Sequence, residues 1–416
     1  MSDLPPDFFG EIDPPDRRLL MGPGPSNVHP RVLRAMSAAV LGQFDPEFTT
    51  TMNEVMALYR AVFETKNRWT MMIDGTSRAA IEAAMVSVLE PGDTVLVVSS
   101  GRFGLLLQEI GQRCQAKVEI VEAPWGEIVA MERVAEAAKR IRPRLIACVH
   151  GDTSTTMAQP LEGLGVIARD SGALSYVDAT ATLGGMPVPV DAWGADIVSA
   201  GLQKCLGGPP GIAPITISDR AAERIYARRH VEKGIAGATD KASNSPPIAS
   251  NYFDLAMVMD YWSEKRFNHH TEAASMIYAA RECARIVLGE GLEKRFRRHQ
   301  TAGAAMVAGI EAMGLKVYGD RANKMFNACG VFIPQGVNGD SLRKRMREEF
   351  EIEIGTSFGP LAGKIWRIGT MAGNARRHHV VHTLMAMEAA LRREGFTAPA
   401  GAAADAALAV YDKAGG

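Results

Sequence analysis

Three short segments contain residues whose types and order could do chemistry together. The segment GLQKCLGGPPG holds one lysine, Lys204, among glycine, proline and small apolar residues, directly after the strand-like DIVSA. Asp178 ends an apolar run in the segment YVDATATLGG. Thr76 and Ser77 stand at the start of a predicted helix in the segment IDGTSRAAIEAA. A lysine in an apolar pocket can have its pKa lowered by desolvation and act as a Schiff-base nucleophile.

Each of these residues also has an ordinary structural interpretation. Thr76 could be a plain helix N-cap, Asp178 could cap the turn after its strand, and Lys204 could simply reach solvent. Together, however, they match the needs of one cofactor. Unpaired N–H groups at a helix start suit a phosphate, an anion suits a pyridinium nitrogen, and a lysine suits an aldehyde. The three segments therefore predict a site for pyridoxal 5'-phosphate (PLP).

Alternating strands and helices are needed to position these residues. From about Thr65 onward, the apolar runs TVLVVSS, KVEIVEA, RLIACVHG, LSYVDAT and DIVSAGL are separated by amphipathic helical patterns. The alternation predicts an α/β fold whose mostly parallel sheet is covered on both faces. Ligands of such sheets bind at the carboxyl ends of the strands, where Asp178 and Lys204 stand.

The chain divides into parts by changes in this pattern. The alternation breaks near 244–268, and a long helical stretch from about Thr271 to Gln300 follows. The strands GVFIP and KIWRIGT, between helices, then predict a smaller α+β domain. We expect an N-terminal arm over 1–20, a large domain over 21–284, a small domain over 285–400 and a tail helix over 401–416.

Composition limits the partners of the protein. The 416 residues are 47% hydrophobic and 22% charged, with a formal net charge of -1, so charge gives no reason to expect nucleic acid or an anionic membrane. The N-terminus lacks an apolar leader, and no run approaches the roughly 18 apolar residues of a membrane span. Five widely spaced cysteines predict neither a disulfide framework nor a zinc site, which fits a reducing cytoplasm.

Seven motifs resemble the class V aminotransferases of fold type I, over about Leu20 to Leu391: MGPGPSNVHP, DGTSRAAIEAA, SSGRFG, VHGDTST, VDATATLGG, GLQKCLGGPPG and KIWRIGTM. The resemblance implies a PLP enzyme with a mostly parallel seven-stranded sheet, working as a homodimer with shared active sites. It implies an internal aldimine of PLP on Lys204, which also serves as general acid and base, and Asp178 as the pyridinium partner. Phe103 would stack on the cofactor ring, where the family more often has tryptophan.

The resemblance also implies the other residues of the site. For the substrate, it implies a carboxylate clamp by Arg367 and a small, glycine-lined pocket near Gly24 for the acceptor. For the rest of the cofactor, it implies contacts by Thr153 and a phosphate site of Thr76, Ser77, Arg78 and Gln203, completed by Asn268 and Thr271 from a second subunit.

Two positions depart from the wider family and bear on the substrate. The chain has NHHT at 268–271 where alanine–glyoxylate enzymes typically have YHHT. It also has Gln43 in the segment GQFDP, in a region that is more apolar or carries an imidazole in the wider family. Because an amide is both donor and acceptor, Gln43 and Asn268 suit a ureido group. We therefore expect transfer of the amino group of (S)-ureidoglycine to glyoxylate in purine breakdown, with alanine or serine as alternative donors.

Other classes of function have less support. A PLP-dependent lyase or cysteine desulfurase would carry a reactive cysteine in a small-domain loop, and the matching GTSFGP has none. His378 and His382 stand four positions apart on a predicted helix without a third ligand, so no metal site is expected. The adjacent His269 and His270 are expected to support loop packing or a subunit interface. No helix-turn-helix or basic stripe indicates a regulatory module.

Overall fold

The computed structural model describes residues 18–235 and 245–415. Strands β1 to β14 are Leu19–Leu20, Trp69–Gly75, Thr94–Ser99, Lys117–Glu122, Leu145–Val149, Gly151–Asp152, Met157–Ala158, Leu174–Asp178, Ile197–Ser199, Gly211–Ile217, Ala328–Phe332, Ile352–Glu353, Gly355–Thr356 and Ile365–Gly369. Helices α1 to α14 are Pro30–Met36, Pro46–Val62, Ser77–Val88, Arg102–Arg113, Met131–Ile141, Leu164–Ser171, Val190–Trp193, Asp219–Tyr226, Leu255–Trp262, Ala274–Glu290, Leu292–Ala312, Gly339–Phe350, Arg377–Arg393 and Ala402–Lys413.

Seven strands form the central sheet, in the order β2-β10-β9-β8-β5-β3-β4. Strand β10 runs antiparallel to both of its neighbours, and the other four pairs are parallel. All residues of β5 and β8 are buried, as expected where helices cover both faces of a sheet. The predicted mostly parallel seven-stranded α/β fold is confirmed.

The antiparallel strand fixes two loops at one edge of the sheet. In the β2–β10 ladder, Gly211 lies opposite Gly75 and Ile217 lies opposite Trp69. The chain enters β10 at Gly211, a few residues after Lys204, and leaves β2 at Gly75, directly before Thr76. The ladder therefore brings the lysine turn and the predicted phosphate loop to the same edge.

Two hydrophobic cores account for most of the buried apolar side chains. The first joins the central sheet to its helices, from Val32 to Val287. The second joins Met21 to side chains of α11–α14, β11, β12 and β14, from Ala302 to Tyr411. The tail helix α14 packs into this second core through Ala403 and Ala407. The expected domain boundaries remain predictions, and residues 1–17 of the arm lie outside the described residues.

The long helix expected over 271–300 is two helices. Helix α10 ends at Glu290 and α11 begins at Leu292. Gly291 separates them with a φ of 85°, a conformation that glycine adopts without steric cost. A single glycine is tolerated within many helices, which is why the sequence pattern alone did not reveal the break.

The first strand belongs to the small sheets, not to the large one. Strand β1 pairs in parallel with β12, and Met21 accepts a hydrogen bond from the N–H of Gly369 in β14. The segment MGPGPSN then leaves the small sheets and crosses to the lysine turn. In 18–235 and 245–415, no helix is both long and apolar enough to cross a membrane.

Candidate active site

Lys204 lies in a single π-helical turn, Leu202–Leu206, at the end of β9. The turn is irregular at the lysine itself, whose φ and ψ are -108° and -124°, and it ends at Gly207 with a φ of 75°. Single π-helical turns are frequent at functional sites because they re-aim one side chain out of a regular element. The glycines and prolines of GLQKCLGGPPG permit this local path.

The N-terminal segment packs directly on this lysine. The Nζ of Lys204 donates a hydrogen bond to the carbonyl oxygen of Pro23 at 2.5 Å, and the hydroxyl of Ser26 donates to the Lys204 carbonyl at 2.8 Å. A Cβ added at Gly24 would lie 2.3 Å from Nζ, and its φ of 110° also favours glycine. Gly24 is thus in contact with Lys204, and Pro23 and Ser26 are site residues that sequence reasoning missed.

The surroundings of the turn make Lys204 easier to deprotonate than an ordinary lysine. Burial and the nearby Arg367 guanidinium lower the pKa of Lys204 from 10.5 to about 8. The negative charge of Asp178 opposes this shift. A lysine with such a pKa has a far larger neutral fraction near neutral pH than an ordinary lysine, which is what a nucleophilic amine needs.

Asp178 ends strand β8 with a buried carboxylate, 4% exposed. Its Oδ1 accepts one hydrogen bond from the Thr180 N–H at 2.9 Å, so the ordinary turn-capping role is also present. Burial raises the pKa of Asp178, and the hydrogen bonds from Thr180 and the charge of Lys204 lower it in part. A cationic N–H beside this carboxylate would stabilise its charged form.

The predicted phosphate loop is an open helix start. Thr76 is the N-cap of α3, but its exposed side chain makes no capping hydrogen bond. Ser77 Oγ accepts from Gln203 Nε2 at 3.1 Å, and the buried Gln203 Oε1 has no partner. A Cβ at Gly201 would lie 2.8 Å from the Ser77 Cβ, so glycine keeps this cradle open. Arg78 is exposed beside it.

Phe103 is positioned by a buried loop. Its N–H donates to Asp152 Oδ2 at 2.9 Å, and the Arg102 N–H donates to Ser154 Oγ at 2.9 Å. Asp152 also accepts from the hydroxyl of Ser154 at 2.6 Å, which holds the start of α4 against the loop. Thr153 lies between them and is 3% exposed. Asp152 and Ser154 are supporting residues that the motif VHGDTST contained and sequence reasoning did not use.

Arg367 is held in place with donors to spare. It is 6% exposed, and its Nε donates to the Thr356 carbonyl at 2.6 Å and its Nη1 to the Thr153 carbonyl at 2.7 Å. Within the described residues no hydrogen bond from its Nη2 is found. The Phe358 ring lies 4.7 Å from its guanidinium. Burial lowers the pKa of Arg367 to about 10, so it stays charged at neutral pH.

Three predicted residues form a separate group. Gln43 Nε2 donates to Asn268 Oδ1 at 3.0 Å, and Asn268 and Thr271 are exposed. Across 18–235 and 245–415, no hydrogen bond joins Gln43, Asn268 or Thr271 to Lys204 or Arg367. The structure therefore brings Lys204 together with Gly24, Gln203 and Ser77, and it leaves Gln43, Asn268 and Thr271 exposed or half-buried, without a hydrogen bond to Lys204 or Arg367 within the described residues.

The residues behind the competing interpretations have other roles. Cys329 is buried in β11, and burial raises the pKa of its thiol to about 12, which makes it a poor nucleophile. His378 is exposed on α13 with its ring 4.1 Å from that of His379. Neither His378 nor His382 belongs to a group of three possible metal ligands in the described part of the chain.

Comparison with known proteins places this site in a family. A family model described as aminotransferase class V matches residues 19–366. The chain is 52% identical over 400 residues to the (S)-ureidoglycine–glyoxylate transaminase of Bacillus subtilis, covering 96% of each chain. The protein belongs to the class V aminotransferases. The family resemblance seen in the motifs is confirmed, and the protein is a PLP-dependent transaminase.

Two further comparisons bear on its place within the family. A crystal structure of ureidoglycine–glyoxylate aminotransferase from Bacillus subtilis matches with a TM-score of 0.91 at 49% identity, covering 97% of this chain and 100% of that one. An alanine–glyoxylate aminotransferase from Mus musculus is 33% identical, covering 93% of this chain and 91% of its own. The alanine–glyoxylate enzyme is thus the more distant relative.

Proposed function

We propose that this class V aminotransferase moves the amino group of (S)-ureidoglycine to glyoxylate, giving oxalurate and glycine in purine catabolism. The observation that carries the proposal is the 52% identity over 96% of the chain with an (S)-ureidoglycine–glyoxylate transaminase. The alanine–glyoxylate relative reaches 33% over a similar length, so alanine is the main competing donor. The expected cytoplasmic location stays a prediction.

The residues around Lys204 fit PLP. Lys204 would be its covalent attachment point through Nζ, and Asp178 would pair with its pyridinium nitrogen. The uncapped start of α3 and the cradle kept open by Gly201 suit an anionic group. PLP supplies an electron sink for the charge left when a proton leaves the donor carbon. The residues assigned to its phosphate and ring are Thr76, Ser77, Arg78, Gln203, Phe103 and Thr153.

Two side chains of the site would do the remaining work on the substrate. Arg367 would bind the donor carboxylate through its free donors, and the Phe358 ring beside it would exclude water from that contact. When the donor amine has taken the place of Lys204 on the cofactor, the free Nζ of Lys204 would remove the α-proton of the donor and deliver it to a different carbon. Its lowered pKa suits both the removal and the delivery of a proton. Gly24 leaves room beside Nζ that a larger residue would fill.

The substrate preference is proposed to come from a subunit interface. Gln43 and Asn268 already bind one another, so they form one amide surface that offers donors and acceptors to a ureido group. Asn268 and Thr271 make no hydrogen bond to Lys204 of their own chain. We therefore propose that these two residues complete the site of a second subunit. The functional unit would then be a homodimer with shared active sites.

A donor comparison tests the proposed function. Purified, PLP-loaded protein is mixed with fresh (S)-ureidoglycine, alanine or serine, and the loss of the yellow absorbance of the bound cofactor is followed. Glyoxylate is then added, and glycine and oxalurate are measured. We expect ureidoglycine to bleach the cofactor fastest. Equal or faster bleaching by alanine would instead assign the protein as an alanine–glyoxylate aminotransferase.

A further inference from the structure

Three possible metal ligands meet beside the phosphate loop. Asp74 is the residue before Gly75 at the end of β2, and His270 and Glu272 flank Thr271. Their ligand atoms all lie within 4.8 Å of one another. His270 Nε2 is 3.1 Å from Asp74 Oδ2 and 3.8 Å from Glu272 Oε2. We call Asp74, His270 and Glu272 the acidic triad.

Hydrogen bonds hold the imidazole of the acidic triad in place. His269 Nε2 lies 3.0 Å from the Asn251 carbonyl, which can only accept, so this nitrogen carries a hydrogen. His270 Nδ1 lies 2.7 Å from His269 Nδ1. This contact occupies the Nδ1 of His270 and leaves its Nε2 facing the two carboxylates, the arrangement in which a histidine binds a metal through one ring nitrogen.

The carboxylates of the acidic triad are incompletely paired, with Glu272 buried and the Asp74 side chain 12% exposed. The Glu272 side chain is 1% exposed, and its Oε2 has no hydrogen-bond partner. Asp74 Oδ1 is also buried without a partner, and Oδ2 receives one long bond of 3.3 Å from the Tyr252 hydroxyl. Burying two carboxylates without compensating charge is costly, so this site needs a cation or extra protons.

No protein cation within the described residues compensates this charge by a hydrogen bond. The Arg266 guanidinium donates to Asn53 Oδ1 at 2.6 Å and to the Tyr261 carbonyl at 3.5 Å, not to the triad. The rings of Tyr252 and Tyr261 lie 5.4 and 5.2 Å from the His270 ring. The two carboxylates and the imidazole thus meet beside aromatic side chains.

We propose that the acidic triad binds one divalent first-row transition-metal ion, such as Zn²⁺. Two ligands about 2.1 Å from a tetrahedral zinc ion lie about 3.4 Å apart, close to the two measured separations. Two carboxylates balance a charge of +2, and the imidazole favours a transition metal over Ca²⁺ or Mg²⁺, which prefer all-oxygen sites. The remaining coordination positions would be filled by water.

The position of the acidic triad gives such an ion a structural role. Asp74 precedes the loop of Thr76 and Ser77, and His270 and Glu272 belong to the loop of Asn268 and Thr271. One ion would therefore join two loops of the same chain. One loop is proposed to bind the cofactor phosphate of its own subunit, and the other to complete the site of the neighbouring subunit. It would not touch the reacting atoms, so its loss would weaken stability and cofactor retention before it altered the chemistry.

Metal binding can be measured independently of transamination. Full-length PLP-loaded protein is freed of metal with EDTA, incubated with Zn²⁺, desalted and analysed for zinc by mass spectrometry. We expect about one zinc ion per chain in the wild type and in the control His378→Gln, and background levels in Glu272→Gln and Asp74→Asn. Zinc in hundredfold excess over its Kd should raise the Tm of the wild type by about 3 °C, and leave that of Glu272→Gln unchanged.

The opposite result has a clear meaning. If the wild type retains no more zinc than Glu272→Gln and its Tm is unmoved by Zn²⁺ or Mn²⁺, the triad shares protons and the proposal is wrong. Should both carboxylate variants fail to fold, zinc content and Tm of the wild type with and without EDTA still decide the question. Because neither readout uses an amino donor, the result is separate from that of the donor comparison.

Discussion

The Nζ of Lys204 and the carbonyl oxygen of Pro23 are joined by a hydrogen bond of 2.5 Å across 181 positions of the chain. The same segment starts with β1, paired to β12, and Met21 accepts from the N–H of Gly369, two residues from Arg367. Lys204, the proposed nucleophile, is therefore connected through one backbone segment to the strand of Arg367, the proposed carboxylate clamp. A shift of the small sheets would be transmitted to Lys204.

Two lysines allow a matched test of the nucleophile. Burial lowers the pKa of both Lys204 and Lys324 to about 8, but Lys324 binds the Tyr318 carbonyl and the Thr156 hydroxyl instead of facing the site. We expect Lys204→Ala to lower kcat/KM at least about 10²-fold and to abolish covalent cofactor attachment. Lys324→Ala should keep most of the activity. Equal losses in both variants, measured by steady-state kinetics, would contradict the assignment.

The contact of Gly24 with Lys204 predicts a steric effect. Gly24→Ala places a Cβ 2.3 Å from Nζ and also strains a φ of 110°, so we expect destabilisation by about 1–3 kcal/mol and a large loss of activity. The control Gly42→Ala meets nothing within 4 Å and should be silent. Thermal unfolding and activity of both variants check this. An active Gly24→Ala protein with wild-type Tm would show that the lysine lies elsewhere.

The lowered pKa of Lys204 predicts the pH dependence of cofactor capture. Only the neutral amine attacks an aldehyde, so the rate at which the apoprotein captures PLP should rise with pH through about 8 and then level off. Because the folded protein holds fewer protons than the unfolded chain between pH 8 and 10.5, this lysine destabilises the fold fully below pH 8 and progressively less as pH rises to 10.5. Stopped-flow absorbance, with Lys204→Ala as the blank, measures the rate. A midpoint above pH 10 would refute the shift.

The fixed guanidinium of Arg367 predicts a strict requirement for arginine. Arg367→Lys keeps the charge. A single ammonium group, however, cannot donate to the Thr356 and Thr153 carbonyls and also give two parallel hydrogen bonds to a carboxylate. We expect the KM for the amino donor to rise about 10–100-fold. The surface control Arg321→Lys, paired with Glu311, should have wild-type kinetics. An unchanged KM in Arg367→Lys would place the carboxylate clamp elsewhere.

The amide pair predicts a change of donor preference. The double exchange Gln43→His with Asn268→Tyr removes both amides that bind one another at 3.0 Å. Because one lost hydrogen bond at a specific polar contact costs about 0.5–1.5 kcal/mol, we expect the ratio of kcat/KM for ureidoglycine over alanine to fall about tenfold. Gln300→His on α11 serves as a control. A ratio unaffected by the double exchange would remove these residues from substrate recognition.

Part of this arrangement could be predicted from the sequence. Apolar runs between helical patterns gave the parallel sheet, and parallel strands end at one edge, so Asp178 and Lys204 were expected to be neighbours. The contact of Pro23 with Lys204 left no such signal, since a backbone carbonyl has no side-chain pattern. The acidic triad was not predicted, because the adjacent histidines suggested loop packing or a subunit interface and Asp74 lies far from them in the chain.

The ladder between β2 and β10 has a consequence for how mutations act. Since Gly75 and Gly211 lie opposite one another in this ladder, main-chain pairing holds the start of the Thr76 loop near the end of the Lys204 turn. A register slip of one residue would move these two loops relative to one another, and it would turn every side chain of β10 to the wrong face.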